Sequence, residues 1–314
     1  MNDIVDIIIL NYKNYRDTIK CVDSVLCSTY TKYRIIIIDN DSQNESADEI
    51  NLYLNTNKCL SGLFTNLKAD QIETYGSVEF QKCFFIESSS NLGYGAGNNL
   101  GIKLSLKWND SGYIWILNND TVVDKNSLKE QLARMKVKED ALICGSKILY
   151  SDKTVQCLGG AMFNHFLMTS KYVNDEFLSE DKVEEMLDYV VGASMLIKKD
   201  FFERYGLFDE QFFLYFEEMD LVKRIKNQKH VICYASKSLI THKVGGSIGT
   251  SSKLHEKSLV SEYHSFRSRI MFTKKYYMYK MPIIYLLGMA YIFHRILYGK
   301  FKHALVIFKA LKET

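Results

Sequence analysis

Residues 4–10 form an almost wholly apolar, β-branched run, and residues 34–38 repeat that texture. Short runs of this kind predict strands buried on both faces of a parallel sheet. Between them, Ile19, Val22, Val25 and Leu26 recur at helical spacing within residues 15–28, which makes a β-α-β unit. Residues 83–87 and 113–117 predict two more strands, with a helix at about residues 98–106 between them. Residues 141–149, 189–198 and 231–235 read as further strands. Residues 44–82 start as a helix and turn polar and irregular, which predicts a surface excursion. Residues 174–185 read as an acidic, mobile stretch. From about residue 254 onward the spacing is helical. The expected architecture is α/β, with a mostly parallel central sheet flanked by helices and a C-terminal helical appendage.

Polar residues gather where each strand ends. Asn11-Tyr12 follows the first, Asp39-Asn40-Asp41-Ser42 the second, the segment from Asn91 to Asn99 the third, and Asn118-Asn119-Asp120-Thr121 the fourth. Any one of these reads as an ordinary turn, since Asn, Asp and Gly dominate turns. Four in succession predict a ligand rim, because open parallel sheets bind ligands outside the carboxyl ends of their strands.

The chain has 314 residues, of which 47% are apolar, enough for one large α/β domain with a smaller appendage. The composition shift divides it into residues 1–252 and 253–314. The second part carries 12 Lys/Arg against three Asp/Glu, a net of +9, whereas residues 1–252 carry 28 basic against 34 acidic, a net of −6. That basic tail also holds a thirteen-residue apolar run, residues 281–293, too short to span a bilayer as a helix. Lys/Arg flanks with interleaved Tyr and Phe fit a helix lying in an anionic membrane surface. A helical pair packed on the main domain, or joining two copies in a homodimer, fits the same residues. No nucleic-acid-binding motif accompanies the charge. Seven cysteines without a C-x-x-C pair exclude a zinc framework and a disulfide scaffold, so a reducing cytoplasm is expected. The first strand starts at Ile4, so no signal peptide is expected either.

Three carboxylates, Glu217, Glu218 and Asp220, follow the aromatic run Phe212-Phe213-Leu214-Tyr215-Phe216. At a helix start the macrodipole favours anions, so one of them stays ionised where aromatic neighbours exclude water, which suits a general base. A merely capped, solvated acidic helix start is the alternative. The glycine loop Gly93-x-Gly95-x-Gly97 departs from the dinucleotide fingerprint, since Asn98 stands where its third glycine belongs, and no P-loop sequence occurs. Its glycines still let backbone approach a ligand, and Asn98 and Asn99 are expected to open a helix whose N-terminus faces phosphate or sugar hydroxyls. Asp120 ends an apolar strand, and His242 ends the strand-like segment 238–241. As a metal pair these two need further oxygen ligands, which a diphosphate supplies.

At this point the residues resemble a family. Ile8-Ile-Leu-Asn-Tyr12, Ile37-Ile-Asp-Asn-Asp-Ser42, the segment Asn91 to Ile102, Leu117-Asn-Asn-Asp-Thr121, Gly192 to Ile197, Gly206 to Phe213, Tyr215 to Leu221 and His242 occur in the order seen in family 2 glycosyltransferases. The likeness is to the rhamnosyltransferase-like and galactofuranosyltransferase-like bacterial group. It implies a GT-A fold, a Rossmann-like sheet bearing a nucleotide-sugar site. It implies that Asn11, Tyr12, Asp39, Asn40 and Asp41 hold base and ribose, and that Asn91, Gly93 and Asn98 line the donor pocket. Asn118-Asn119-Asp120 takes the place of the family's D-x-D motif, with Asn118 where the first acid stands. Asp120, assisted by His242, then carries a divalent metal, Mn²⁺ or Mg²⁺. Glu217-Glu218 takes the place of the pair that contains the base, with Glu218 favoured and Glu217 its rival.

The implied reaction is an inverting transfer from a nucleotide sugar, dTDP-rhamnose foremost. The implied acceptor is a glycan or lipid-diphosphate-linked molecule of cell-surface polysaccharide synthesis, met at the cytoplasmic face of the membrane. A sugar-phosphate nucleotidyltransferase is disfavoured by the absence of glycine in Asn11-Tyr12-Lys13-Asn14. A non-catalytic nucleotide-sugar-binding module on the same fold is the alternative that Asn118 favours.

Overall fold

The computed structural model describes residues 4–76, 81–225, 231–243 and 258–313. In chain order the elements are β1 (Ile4–Asn11), α1 (Tyr15–Leu26), β2 (Tyr33–Asp39), α2 (Ser46–Thr56), β3 (Phe64–Lys68), β4 (Cys83–Glu87), α3 (Gly93–Leu106), β5 (Ser111–Asn118), β6 (Thr121–Val123) and α4 (Ser127–Val137). Next come β7 (Ile143–Leu149), β8 (Val155–Leu158), β9 (Gly160–Asn164), β10 (Thr169–Tyr172), α5 (Glu180–Met186), β11 (Tyr189–Val190), β12 (Ser194–Lys198), α6 (Lys199–Tyr205), α7 (Glu217–Lys223) and β13 (Ile232–His242). Three helices end the chain: α8 (Leu259–Tyr276), α9 (Met281–Leu297) and α10 (Phe301–Glu313).

The strand alternation explains the two-sided core. In β1 and β2, Ile7, Ile9, Ile35 and Ile37 face one apolar layer, while Ile8, Ile36 and Ile38 face the other. Side chains at successive positions point to opposite faces, so a strand buried on both sides must be apolar throughout. The exception, Asp6, is buried and takes hydrogen bonds from Arg34 Nε at 2.7 Å and Ser105 Oγ at 2.6 Å.

The main sheet runs β3-β4-β2-β1-β5-β12-β7-β13-β6, with β8 beside β7. Strands β3, β4, β2, β1 and β5 are mutually parallel, β12 is antiparallel to both its neighbours, and β13 is parallel to β7. The chain moves from β1 to β2 on one side and returns to β5 on the other. That reversal opens a crevice at the carboxyl ends of β1 and β5, where Asn11 and Asn118 stand. A separate antiparallel sheet, β10-β9-β11, borders it.

Several expectations change. Residues 189–198 are two strands, not one: β11 joins the small sheet and β12 the large one. Residues 174–185, expected to be mobile, include α5, whose Val183 is buried and whose Glu184 pairs with Arg134 at 2.7 Å. The irregular stretch 44–82 contains edge strand β3. Helix α3 begins at Gly93, so Asn98 and Asn99 lie inside it rather than at its start.

The tail is divided. Helix α8 packs Ile270 and Phe272 against Phe212, Met219 and Phe163 of the body. Helix α10 joins α8 through Ile307, Ala310 and Phe266. Buried Glu262 of α8 binds Arg295 of α9, at 2.8 Å from Nε, and His303 of α10. The thirteen-residue apolar run belongs to a longer helical stretch than expected. Residues Met278–Leu297, 20 in number, are long and apolar enough to cross a membrane by length and composition. The boundary expected at residues 252/253 lies outside the described residues.

Candidate active site

The strand ends and α8 enclose one cavity of about 1020 Å³. From the sheet rim, Tyr12, Asn40, Asn91 and Gly93 line it, as do Asn118, Asn119, Asp120 and His242. Glu217 and Glu218 line it from α7. Asn11, Asp39, Asp41 and Asn98 do not, although sequence reasoning placed them at the donor.

Those four shape the rim from behind. Asn11 Nδ2 donates to Asp39 Oδ1 at 2.6 Å, and Asp39 also accepts the Ser42 amide at 3.1 Å. Thr18 Oγ1 donates to Asn11 Oδ1 at 2.7 Å. Asn119 Nδ2, at the edge of the same network, donates to Thr18 Oγ1 at 3.0 Å. Buried amides must be bonded, and this web meets that demand while locking the β1, β2 and β5 termini together. Asp41 adopts a left-handed φ of 55° and accepts from Gln43 Nε2. Asn98 is fully buried, its Nδ2 donating to the Tyr94 carbonyl at 3.0 Å. Asn40 spans both roles. It lines the cavity, takes the Leu92 amide at 3.1 Å and donates to Asn91 Oδ1 at 3.0 Å and the Gly93 carbonyl at 3.1 Å, holding the glycine loop.

Gly93 has a specific reason to be glycine. Its φ is +82°, and a Cβ there would lie 2.2 Å from the Phe213 carbonyl oxygen. Next to it, the Tyr94 amide donates to that same carbonyl at 2.8 Å. The glycine's close approach is thus to the segment leading into the acidic pair.

That segment is strained. Tyr215 and Phe216 both have left-handed φ, 70° and 72°, costly for aromatic residues. Tyr215 is held by its hydroxyl, 2.6 Å from Ser261 Oγ of α8, and Phe216 by the Phe272 ring at 5.3 Å. The double reversal turns the chain directly into α7, leaving Glu217 and Glu218 at its start. Asp220 turns away from the cavity. Fully buried, it binds Arg224, Lys275 at 2.6 Å and the Tyr276 hydroxyl at 2.8 Å.

The two glutamates differ. Glu218 Oε1 accepts the Gly192 amide at 3.1 Å. A Cβ on Gly192 would lie 2.5 Å from that oxygen, so only glycine lets the carboxylate approach. Burial raises the Glu218 pKa. Burial raises Glu217 further, well above the usual carboxylate range, and the Glu218 charge adds to it. Glu217 Oε2 is buried without a partner. The Gly192 amide supports a charge on Glu218, whereas nothing among the described residues supports one on the buried Glu217 Oε2. Desolvation opposes the charge-favouring effect of the helix start at both glutamates.

Asp120 and His242, far apart in sequence, meet because β13 pairs with β6, setting His242 opposite Thr121. His242 Nε2 lies 3.2 Å from Asp120 Oδ1, and His242 Nδ1 lies 3.1 Å from Gln156 Oε1. A carboxamide oxygen only accepts, so with Gln156 turned this way the contact orients His242 through Nδ1. Nε2 then faces the Asp120 carboxylate, and the two atoms together suit a divalent cation. An imidazole oriented through its other nitrogen beside a carboxylate is a common metal-site arrangement. Among the described residues no cluster of three or more His, Cys, Asp or Glu is present, so a cation here draws further ligands from outside that set. The donor chemistry fits a divalent ion completed by diphosphate oxygens.

Sequence reasoning missed Lys13, Gln156, Tyr94 and Gly192, and the α8 residues Ser261, His264 and Arg269, all at the cavity. Lys13, Tyr94 and Gly192 carried a signal, since each adjoins, lies within or begins a quoted motif. The α8 residues carried none, because only the fold brings the tail here.

Comparisons with known proteins bear on the fold and the family. The low-salt glycan biosynthesis hexosyltransferase Agl10 of Haloferax volcanii is 26% identical over 148 residues, 46% of each chain. The chain therefore matches about half the length of this curated relative. Among solved structures, the mannosyltransferase PcManGT from Pyrobaculum calidifontis, with GDP-Man and Mn²⁺, covers 99% of this chain and 75% of its own at TM-score 0.57 and 10% identity. S. aureus TarS 1–349 with UDP-GlcNAc covers 85% and 65% at TM-score 0.53 and 12% identity. These likenesses show the fold, which is GT-A as expected. The family model for glycosyl transferase family 2 matches residues 6–206, through β1, the glycine loop and Asp120 but short of Glu218 and His242, and on that match the chain belongs to glycosyl transferase family 2.

Proposed function

We propose that the protein is an inverting hexosyltransferase. It moves a sugar from a nucleotide donor onto a glycan or lipid-diphosphate-linked acceptor in cell-surface polysaccharide synthesis. The observation that carries this reading is one cavity holding both the Asp120–His242 pair and the Glu218 carboxylate. The first suits a diphosphate and the second an acceptor hydroxyl. Glu218 takes the hydroxyl proton as the oxygen attacks the anomeric carbon. The bond from that carbon to the diphosphate oxygen breaks, and the nucleoside diphosphate leaves. One displacement inverts the configuration. Asp120 and His242 would hold the divalent ion, Mn²⁺ or Mg²⁺, which supplies neutralising charge for the leaving diphosphate. Tyr12 and Asn40, at the ends of β1 and β2, border the nucleotide, and Lys13, exposed at the mouth, adds positive charge.

Motif likeness favours dTDP-L-rhamnose as donor. The neighbours' UDP-GlcNAc and GDP-Man define the competing classes. The test is thermal unfolding of the full chain with dTDP-, UDP- and GDP-sugars, with and without Mn²⁺. A donor at 100 times its Kd stabilises by about 2.7 kcal/mol. The expected result is a shift for one nucleotide class, enlarged by Mn²⁺ and lost in Asp120→Ala. No shift with any nucleotide contradicts the reading.

The tail supports a membrane contact at the cytoplasmic face. Leu286, Met289, Phe293 and Leu297 of α9 and Phe301, Leu305 and Phe308 of α10 are each more than half exposed. A contiguous exposed apolar patch marks an interaction surface, and flanking Lys280, Lys300, Lys302 and Lys309 suit anionic headgroups.

A further inference from the structure

We propose that Arg269 and His264 on α8 form an anion subsite in the cavity that holds a phosphate of the acceptor, making the first tail helix a wall of the acceptor site. This rests on the transferase reading above and assigns part of its cavity. Helix α8 turns Ser261, His264, Ser265 and Arg269 toward the cavity, three and four residues apart, as one helix face requires. It is fastened to the catalytic segment by the Tyr215–Ser261 contact and by Ser268 Oγ, which donates to the Leu214 carbonyl at 2.7 Å. Arg269 therefore sits beside the stretch that delivers Glu217 and Glu218.

The guanidinium is set apart by two sealed nitrogens that nothing among the described residues satisfies. Arg34, Arg134, Arg224 and Arg295 each pair with a carboxylate. Arg269 does not, among the described residues, and its Nε and Nη1 are buried without a hydrogen-bond partner. The Tyr291 hydroxyl takes a hydrogen bond from it, and the Phe266 ring lies 5.0 Å away. Burial lowers the Arg269 pKa, but a guanidinium stays charged in proteins. A half-buried guanidinium with two sealed, unpartnered nitrogens and no counter-charge is a costly arrangement unless an anion arrives to complete it. Its fork of N–H donors matches phosphate oxygens. His264, stacked on Phe213 at 4.5 Å, also has a buried, unpartnered Nδ1. Burial, with Arg267 adding to it, lowers His264 to about 4, so the ring is neutral and offers a single N–H.

Glu218 and Arg269 line the same cavity, so one acceptor can offer a hydroxyl to the first and a phosphate to the second. Two sources supply that chemistry: an isoprenyl diphosphate carrier, or a phosphate within a soluble glycan. Tyr291 lies on α9, whose exposed apolar face favours the first.

The test is calorimetric titration of the full chain with inorganic pyrophosphate and with farnesyl diphosphate, in EDTA so that no metal assists the donor end. Wild type is expected to bind pyrophosphate. Arg269→Gln is expected to weaken that binding about tenfold or more. Ser265→Glu, which leaves Arg269 in place and offers it a carboxylate one turn away, is expected to weaken it similarly. Asp120→Asn is expected to leave it unchanged. Tighter binding of farnesyl diphosphate assigns a lipid carrier, and equal binding assigns a phosphate-bearing glycan. No binding by wild type, wild-type affinity in both α8 variants, or loss only in Asp120→Asn overturns the proposal. Arg269-dependent binding in a protein that takes no nucleotide would leave the subsite standing and remove the transferase reading.

Discussion

Glu217 Oε2 is shut away from solvent without a partner, whereas Glu218 receives the Gly192 amide and borders the same cavity. That difference favours Glu218 as the base of the proposed transfer. Glu218→Gln is expected to lower kcat by at least about 10² while donor binding survives. Glu217→Gln is expected to keep turnover, and the reverse pattern would exchange the roles. Burial raises Glu218, and the base must be deprotonated. The acid limb of kcat/KM should therefore lie above the ordinary Glu value of about 4.3, which a pH-rate profile reads. Glu217 gives a stability signature as well. Its raised folded pKa means that the native state keeps a proton that the unfolded chain releases. Its stabilising contribution is full below the unfolded pKa and is lost as pH rises through the folded one. Glu217→Gln should thus lose less stability than wild type on moving from acid to alkaline pH, measured as Tm against pH.

The elements explain how such a costly site is held. Gly93 of α3 touches the Phe213 carbonyl, and Lys275 and Tyr276 of α8 grip Asp220 of α7. Gly93→Ala forces a methyl into backbone and is expected to destabilise by about 1–3 kcal/mol, with a fall in activity as the catalytic segment shifts. Lys275→Ala strips one partner from a buried carboxylate and is expected to cost about 1–3 kcal/mol, because Arg224 remains. Equal Tm values for either variant and wild type would contradict this packing. These ties also show what the sequence made legible. The strands β1, β2, β4 and β5 were readable because two-sided burial leaves unbroken apolar runs. Motif order pointed to Asp120, His242, Glu217 and Glu218, and the fold brings all four to one cavity. Asn11, Asp39 and Asn98 could not be told from ligand contacts by residue type, since a buried amide network uses the same side chains. The start of α3 was misplaced because its glycines lower helix propensity, and packing against the sheet overrides that preference. Arg269 was invisible because only tertiary contact brings α8 to the cavity.

At the scale of the molecule, one sheet rim faces a cavity that the tail closes, and the same tail exposes an apolar, lysine-flanked face. Co-sedimentation should show the full chain bound to vesicles containing anionic lipid and weakly bound to neutral ones, with Phe293→Ser and Leu297→Ser reducing the bound fraction. Unchanged partitioning would leave the tail a purely internal support or a dimer contact. The claim that organises all of this is that the cavity performs transfer and not mere capture of a nucleotide sugar. The most direct measurement is release of nucleoside diphosphate by the purified full chain across dTDP-, UDP- and GDP-sugars, with Mn²⁺ or EDTA. The account predicts turnover of one donor class, dependent on the metal and abolished in Glu218→Gln. A donor that binds tightly yet releases no nucleoside diphosphate, with any of the acceptor types supplied, would contradict it and leave a binding module on a glycosyltransferase fold.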